Sequence, residues 1–257
     1  MRILILGGTS EAFDLATALE TRHHKVTTAL AGATSDPRKP AGRLLAGGLG
    51  GVEGLAALLS GHKFDFLIDA THPFAEKISA NAVEAAHKTG IALLRVQRPG
   101  WTEPEGGNWW HVKTADKAAE RLPSGSTVLL TIGRGMLEPF LARTDCRFVV
   151  RAIEAPESRL PRNFDLVLAR PPFTLHDELA LMKRRGITHL VAKNSGGAQT
   201  SAKLEAAYLL KVQVIMIDRP VLAAAETVIS VDAALHYLDQ FPAPARRAFF
   251  FPLLRRT

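Results

Sequence analysis

The chain has 257 residues, 47% of them apolar and 22% charged, with a formal net charge of +7. Those proportions exclude a disordered chain, the lone Cys146 excludes an internal disulfide or a thiolate zinc site, and no apolar run reaches the roughly 18 residues that span a bilayer. The opening MRILILGGTSEA runs straight into a turn with no small-residue cleavage site, so a cytoplasmic protein that is neither exported nor membrane-inserted is expected. The surplus of cations calls for an anionic partner. Because the cations are scattered and no basic stripe is interleaved with aromatics, that partner is expected to be a small polyanion rather than nucleic acid.

Taken in chain order, RILIL at 2 to 6, KVTTAL at 25 to 30, FDFLID at 64 to 69 and IALLRV at 91 to 96 are near-continuous apolar runs. Such runs suit parallel strands covered on both faces. EAFDLATALETR and AEKISANAVEAAHK between them predict helices, with Phe74, Ile78 and Ala82 on one buried face. After Trp101 the texture changes to TEPEGGNWWHV, a short helix over 116 to 121 and a Pro-Ser-Gly-Ser turn. The alternation then restarts with TVLLTIG, RFVVRAI, DLVLAR, THLVAK and VQVIMI. The expectation is two tandem, open, mostly parallel α/β domains, Rossmann-like or flavodoxin-like, with a cleft between them: residues 1 to 122 binding a dinucleotide and 123 to 257 contributing to a substrate site. The tail ARRAFFFPLLRRT has an odd surface composition to which no function attaches.

Strand RILIL enters Gly7-Gly8-Thr9-Ser10-Glu11 and then a helix. In this strand-turn-helix context glycine lets backbone approach a phosphate, and the first-turn N–H groups bind it. The match to G-x-G-x-x-G is partial, since Thr9 and Ala12 stand at the second and third glycine positions; the bland alternative is a tight turn with Thr9 or Ser10 capping the helix. An NAD-selective site usually places a carboxylate at the end of the second strand, where this chain reads Ala29-Leu30-Ala31-Gly32-Ala33. Arg38, Lys39 and Arg43 follow in a Pro-containing loop suited to a 2′-phosphate, so NADPH is expected; the alternative is that they are solvated loop cations.

In doubly wound sheets ligands bind beyond the carboxyl ends of strands. Thr71 and His72 leave the FDFLID strand, where His72 is either a helix-entry ring or a catalyst. Gly48 and Gly50 lie in a five-residue glycine-rich stretch able to approach a flat ligand. Arg95 and Arg98 end the fourth strand, Arg134 follows TVLLTIG, and Lys193-Asn194-Ser195-Gly196-Gly197 precedes a helix carrying Lys203. These arginines and lysines suit carboxylates. A G-x-S-x-G turn, an H-E-x-x-H metal pair, a P-loop lysine and a Tyr-x-x-x-Lys pair are all missing.

Together ILGGTSEA, GGLGG, IDATHPFA, LRVQRPGW, KNSGGAQTSAK and IMIDRP resemble the precorrin-6A reductase family of cobalamin biosynthesis, over residues 1 to about 220. The resemblance implies NADPH-dependent reduction of one double bond in a tetrapyrrole-derived macrocycle rich in carboxylates. His72 and Lys193 are then the candidate proton donors, beside solvent and the substrate's own carboxylates. Cofactor contacts fall to Gly7, Gly8, Thr9, Ser10, Glu11, Arg38, Lys39, Arg43, Gly48, Gly50 and Thr71. Substrate contacts fall to Arg95, Arg98, Arg134, Ser195, Gly196, Gly197 and Lys203. One departure is Ala33, where the family pattern often carries arginine. The alternatives are an NADP-dependent reductase of another conjugated anion and a non-catalytic NADP sensor; oligomeric state is left open.

Overall fold

The computed structural model describes residues 1–30 and 39–241. In chain order these begin with β1 (Arg2–Leu6), α1 (Ser10–Thr21), β2 (Lys25–Leu30), β3 (Arg43–Ala46), α2 (Gly51–Gly61), β4 (Phe66–Asp69), α3 (Glu76–Thr89) and β5 (Ala92–Val96). The chain continues through β6 (Trp109–Val112), α4 (Ala115–Arg121), β7 (Thr127–Leu130), α5 (Glu138–Leu141), β8 (Arg147–Ala152) and β9 (Phe164–Leu168). It ends with α6 (Leu175–Arg185), β10 (His189–Lys193), α7 (Ala202–Leu209), β11 (Gln213–Ile217), β12 (Glu226–Val228) and α8 (Val231–Asp239).

Two compact units result. Unit 1 is Met1–Arg98 with the described part of Val221–Thr257, and unit 2 is Pro99–Pro220. Unit 1 holds a six-stranded sheet in the order β3-β2-β1-β4-β5-β12, and unit 2 one in the order β9-β8-β7-β10-β11-β6. Every pairing is parallel. Both follow the doubly wound order, which reverses between β1 and β4 in unit 1 and between β7 and β10 in unit 2.

The continuous apolar runs are explained by burial on both faces. In unit 1, Ile3 and Ile5 of β1 pack with Phe66, Ile68 and Leu94 against Leu15 and Leu19 of α1 and Leu235 and Leu238 of α8. Leu4 and Leu6 turn the other way, onto Leu55 and Leu59 of α2 and Ala82 and Ala85 of α3. Each fully buried leucine or isoleucine contributes about 1.5 to 3 kcal/mol, so a polar residue anywhere in RILIL would be costly on one face or the other. In unit 2, Leu129, Val149, Leu190, Ala192, Val214 and Met216 face α6 and α7, while on β8 and β9 Phe148 stacks on Phe164 at 4.5 Å.

Three expectations need correction. The expected break after residue 122 does not divide the units, because β6 pairs with β11 while β12 pairs with β5. The texture change at 101 to 112 hides a strand of unit 2, and unit 1 takes its outermost strand from chain that follows unit 2. Phe74 does not join the buried helical face: α3 starts at Glu76, and its buried side is Ser79, Ala82, Ala85 and Ala86. Arg43 is not in a loop but opens β3, opposite Thr27, three residues before the Leu30–Ala46 pair that ends the strands. At about 3.3 Å per residue its backbone lies some 10 Å back from the carboxyl edge. Arg38, Ala33 and the arginine- and phenylalanine-rich tail lie outside the described residues.

Candidate cofactor and substrate sites

At the carboxyl edge of unit 1, β1 ends beside β4, with Leu6 in register with Asp69. The turn after β1 depends on both glycines. A Cβ on Gly7 would sit 2.8 Å from Thr28 Cγ2 and 3.2 Å from Leu30 Cδ2, so glycine here lets α1 pack close on β2. Gly8 has φ of +119°, a backbone region that L side chains rarely adopt, and nothing lies within 4 Å of where its Cβ would be. An exposed turn in front of a helix N-terminus is a cradle that a phosphate fits.

Thr9 takes the helix-capping role that the sequence offered as the alternative. Its hydroxyl caps α1 by accepting the Ala12 N–H at 3.2 Å and donates to the Ala70 carbonyl at 2.8 Å. It therefore ties the β1 turn to the β4 turn and leaves its backbone, not its side chain, for a ligand. Ser10 Oγ donates to Glu11 Oε2 at 3.1 Å, and the same oxygen accepts from Arg98 Nη1 at 2.6 Å. Arg98, expected at the substrate, thus compensates a carboxylate in the first turn of α1.

Arg95 is corrected more sharply. It is 4% exposed, its Nε donates to Asp69 Oδ2 at 3.0 Å and its Nη1 to the Ala223 carbonyl at 2.7 Å. A guanidinium one residue from the end of β5 folds inward once a buried acid is offered by the neighbouring strand. Asp69 in turn holds Thr71, accepting from its N–H at 3.2 Å and its hydroxyl at 2.7 Å. Thr71 is half-buried and engaged in the turn.

His72 follows. Its Nδ1 accepts the Phe74 N–H at 3.2 Å, and its carbonyl accepts the Ala75 N–H at 2.7 Å. A neutral ring whose Nδ1 is an acceptor carries its proton on Nε2. The Gly47–Gly51 stretch leaves β3 beside the end of β2, where the Gly47 N–H reaches the Leu30 carbonyl at 3.0 Å. Gly48 has open space in front of it, whereas Gly50 lies close over Gly54. Lys39 is exposed.

In unit 2 the corresponding edge is cationic. Lys193 ends β10, and its ammonium lies 4.0 Å from where a Cβ on Gly133 would be, at the point where the strand order reverses. Burial pushes the Lys193 ammonium below the ordinary lysine value. Arg134, one residue past Gly133, is exposed and lies 3.4 Å from Glu154.

The turn after Lys193 is stapled rather than open. Arg219 Nε donates to the Asn194 carbonyl at 2.7 Å and its Nη2 to the Ser195 carbonyl at 3.1 Å. Asn194 Oδ1 accepts the Trp101 N–H at 2.7 Å, and Trp101 Nε1 donates to the Gly197 carbonyl at 3.1 Å. A Cβ on Gly196 would lie 2.0 Å from the Pro99 carbonyl, so this glycine serves close packing. Ser195 is buried, and Lys203, 4% exposed, places its ammonium 4.7 Å over the Trp101 ring. Lys203, expected at the substrate, is thus packed as a cation–π partner of Trp101. The sequence reading passed over Asn194 and Asp69 and gave Arg219 no role; each directly follows or ends an apolar run, the signal that marked their neighbours.

A glycine turn of this kind, at the switch point of a doubly wound sheet, is the hallmark of the dinucleotide-dependent α/β oxidoreductases. The family model "Precorrin-6x reductase CbiJ/CobK" matches residues 2–239, and the chain belongs to that family. It is 45% identical over 240 residues to the precorrin-6A reductase of Rhodococcus erythropolis, covering 92% of this chain and 97% of the relative. The precorrin-6A reductase of Mycobacterium tuberculosis H37Rv is 40% identical over 246 residues, covering 94% and 99%. The solved structure of CobK precorrin-6A reductase superposes with a TM-score of 0.89 at 39% identity, covering 93% of this chain and 96% of that one. No helix among the described residues is long and apolar enough to cross a membrane.

Proposed function

We propose that the protein uses NADPH to reduce one double bond of precorrin-6A, giving precorrin-6B. The Gly7–Gly8 turn at the β1/β4 switch point carries the reading, in a chain that matches precorrin-6A reductases along nearly its whole length. Identity is 39 to 45% to relatives named for precorrin-6A and 27 to 32% to those named for the cobalt-bearing substrate, which favours the metal-free macrocycle.

The backbone of Gly8, Ser10 and Glu11 would hold the pyrophosphate, and the open Gly48 stretch would lie along the adenosine. NADPH rather than NADH is supported by the lack of a carboxylate at the end of β2 and by Lys39 and Arg38 after it. When bound, the nicotinamide supplies the hydride. Lys193 is the better proton donor of the two candidates: it ends β10 at the point where the strand order of unit 2 reverses, and burial lowers the pKa of its ammonium. Arg134 would take a substrate carboxylate. Cofactor oxidation on adding precorrin-6A, followed with NADPH and NADH in parallel, tests the proposal; no oxidation overturns the activity, and equal kcat/KM for both cofactors overturns the NADPH assignment.

A further inference from the structure

Every strand of unit 2 carries a cation at or just beyond its carboxyl end: Lys113 after β6, Arg134 after β7, Arg151 in β8, Arg170 after β9, Lys193 ending β10 and Arg219 after β11. Lys113 pairs with Asp218 at 3.1 Å, Arg219 holds the Asn194 and Ser195 carbonyls, and Arg151 pairs with Glu178 of α6 at 2.7 Å. The last pair is buried, with side chains 7% and 0% exposed. A buried ion pair is often no more stabilising than apolar residues in its place, so its value here is sought in what it positions.

What it positions is the loop between β9 and α6. The Arg151 guanidinium lies 3.9 Å from the centre of the Phe173 ring, and the Phe173 N–H reaches the Gln199 carbonyl at 3.4 Å, in the turn that follows Lys193–Gly197. Thr174 then caps α6 by accepting the Asp177 N–H at 3.1 Å. The segment is thus pinned on the β8 tip, on the turn after β10 and at the helix start. Arg170, exposed, is carried on its β9 side along the same carboxyl edge as Arg134 and Lys193.

We propose that Arg170 is a carboxylate-binding residue of the substrate site, presented by a loop that Arg151, Glu178 and Phe173 hold in place. The proposal rests on the reading that the carboxyl edge of unit 2 receives the carboxylate-rich substrate. A planar guanidinium on a pinned loop suits bidentate capture of a side-chain acetate or propionate, with little ordering entropy left to lose on binding.

Steady-state kinetics with precorrin-6A and NADPH test it. Arg170→Gln should raise KM for precorrin-6A about tenfold while kcat and NADPH affinity stay unchanged, and Arg170→Lys should recover part of the loss. Phe173→Ala, which frees the loop and leaves Arg170 in the chain, should raise the same KM, and the Lys rescue then distinguishes charge from shape. An unmodified KM in Arg170→Gln, with a raised KM in Arg134→Gln, overturns the proposal and leaves the reading of the edge standing. An unmodified KM in Arg170→Gln, Arg134→Gln and Lys193→Ala alike overturns both.

Discussion

Arg98 and Glu11, separated by 87 residues in sequence, meet at 2.6 Å where β5 ends and α1 begins. The carboxylate stands in the first turn of α1, and if the N–H groups of that helix hold the cofactor phosphates as proposed, it alone would repel them. Arg98→Gln should weaken NADPH binding about tenfold, the scale of one charge-assisted hydrogen bond. Glu11→Gln in the same chain should restore most of the loss, because the repulsion is removed with its source. Cofactor fluorescence titration of the two single variants and the double variant measures the coupling; additive effects would mean that the pair does not act on the phosphate.

The two glycines of the first turn should fail differently. Gly7→Ala forces a methyl group to within 2.8 Å of Thr28 Cγ2 and should destabilise folding by about 1 to 3 kcal/mol in urea denaturation. Gly8→Val meets open space, but its φ of +119° is strained for any side chain, and the added bulk lies on the cradle. NADPH affinity should fall strongly there while unfolding stays two-state. If Gly8→Val titrates with NADPH like the unmodified protein, the phosphate site is elsewhere.

Asp69 and Arg95 make a buried pair at 3.0 Å with side chains 1% and 5% exposed. Asp69→Ala should cost about 3 to 5 kcal/mol by stranding the guanidinium, and it also releases Thr71 from the turn before His72. Asp69→Asn, which keeps the hydroxyl contact with Thr71, should cost less. Denaturant midpoints of the two variants check this, and equal losses would mean that the charge matters and the Thr71 contact does not.

Lys193 sets a pH dependence with a definite sign. Burial lowers its folded pKa below the unfolded value of 10.5. Between those two values the unfolded chain binds a proton that the folded chain has released, so stability from this group is present above 10.5 and is lost as pH falls through the folded pKa. If Lys193 donates the proton as proposed, it must be charged, so kcat should fall as pH rises through that same lowered value. Lys193→Arg should move this basic limb upward or abolish turnover; an unchanged pH profile would assign the proton to another group.

The strands that sequence periodicity marked are those buried on both faces. Ile3 and Ile5 serve one layer and Leu4 and Leu6 the other, which leaves no polar position to break the run. β3, β6 and β12 escaped notice because they are three or four residues long and partly exposed, as in WWHV and ETV. Short strands at or near a sheet edge bury too little to force an apolar pattern. That is also why the domain boundary was misplaced: nothing local in Trp109–Val112 states that its partner is β11, more than a hundred residues on.

The sequence by itself determined the class: the apolar runs, the Gly7–Gly8 turn and the order of polar groups after each strand are local features, dictated by backbone conformation and two-sided burial. Only the tertiary structure decided which partner each of those polar groups meets. Arg95 folds onto Asp69, Arg98 onto Glu11 and Lys203 onto Trp101, while Arg134, exposed, lies 3.4 Å from Glu154. A cation in a sequence has the same charge wherever it stands. Whether that charge is spent on the protein or offered to a substrate depends on which acid or ring the fold brings within about 3 to 6 Å, and that partner is commonly tens of residues away.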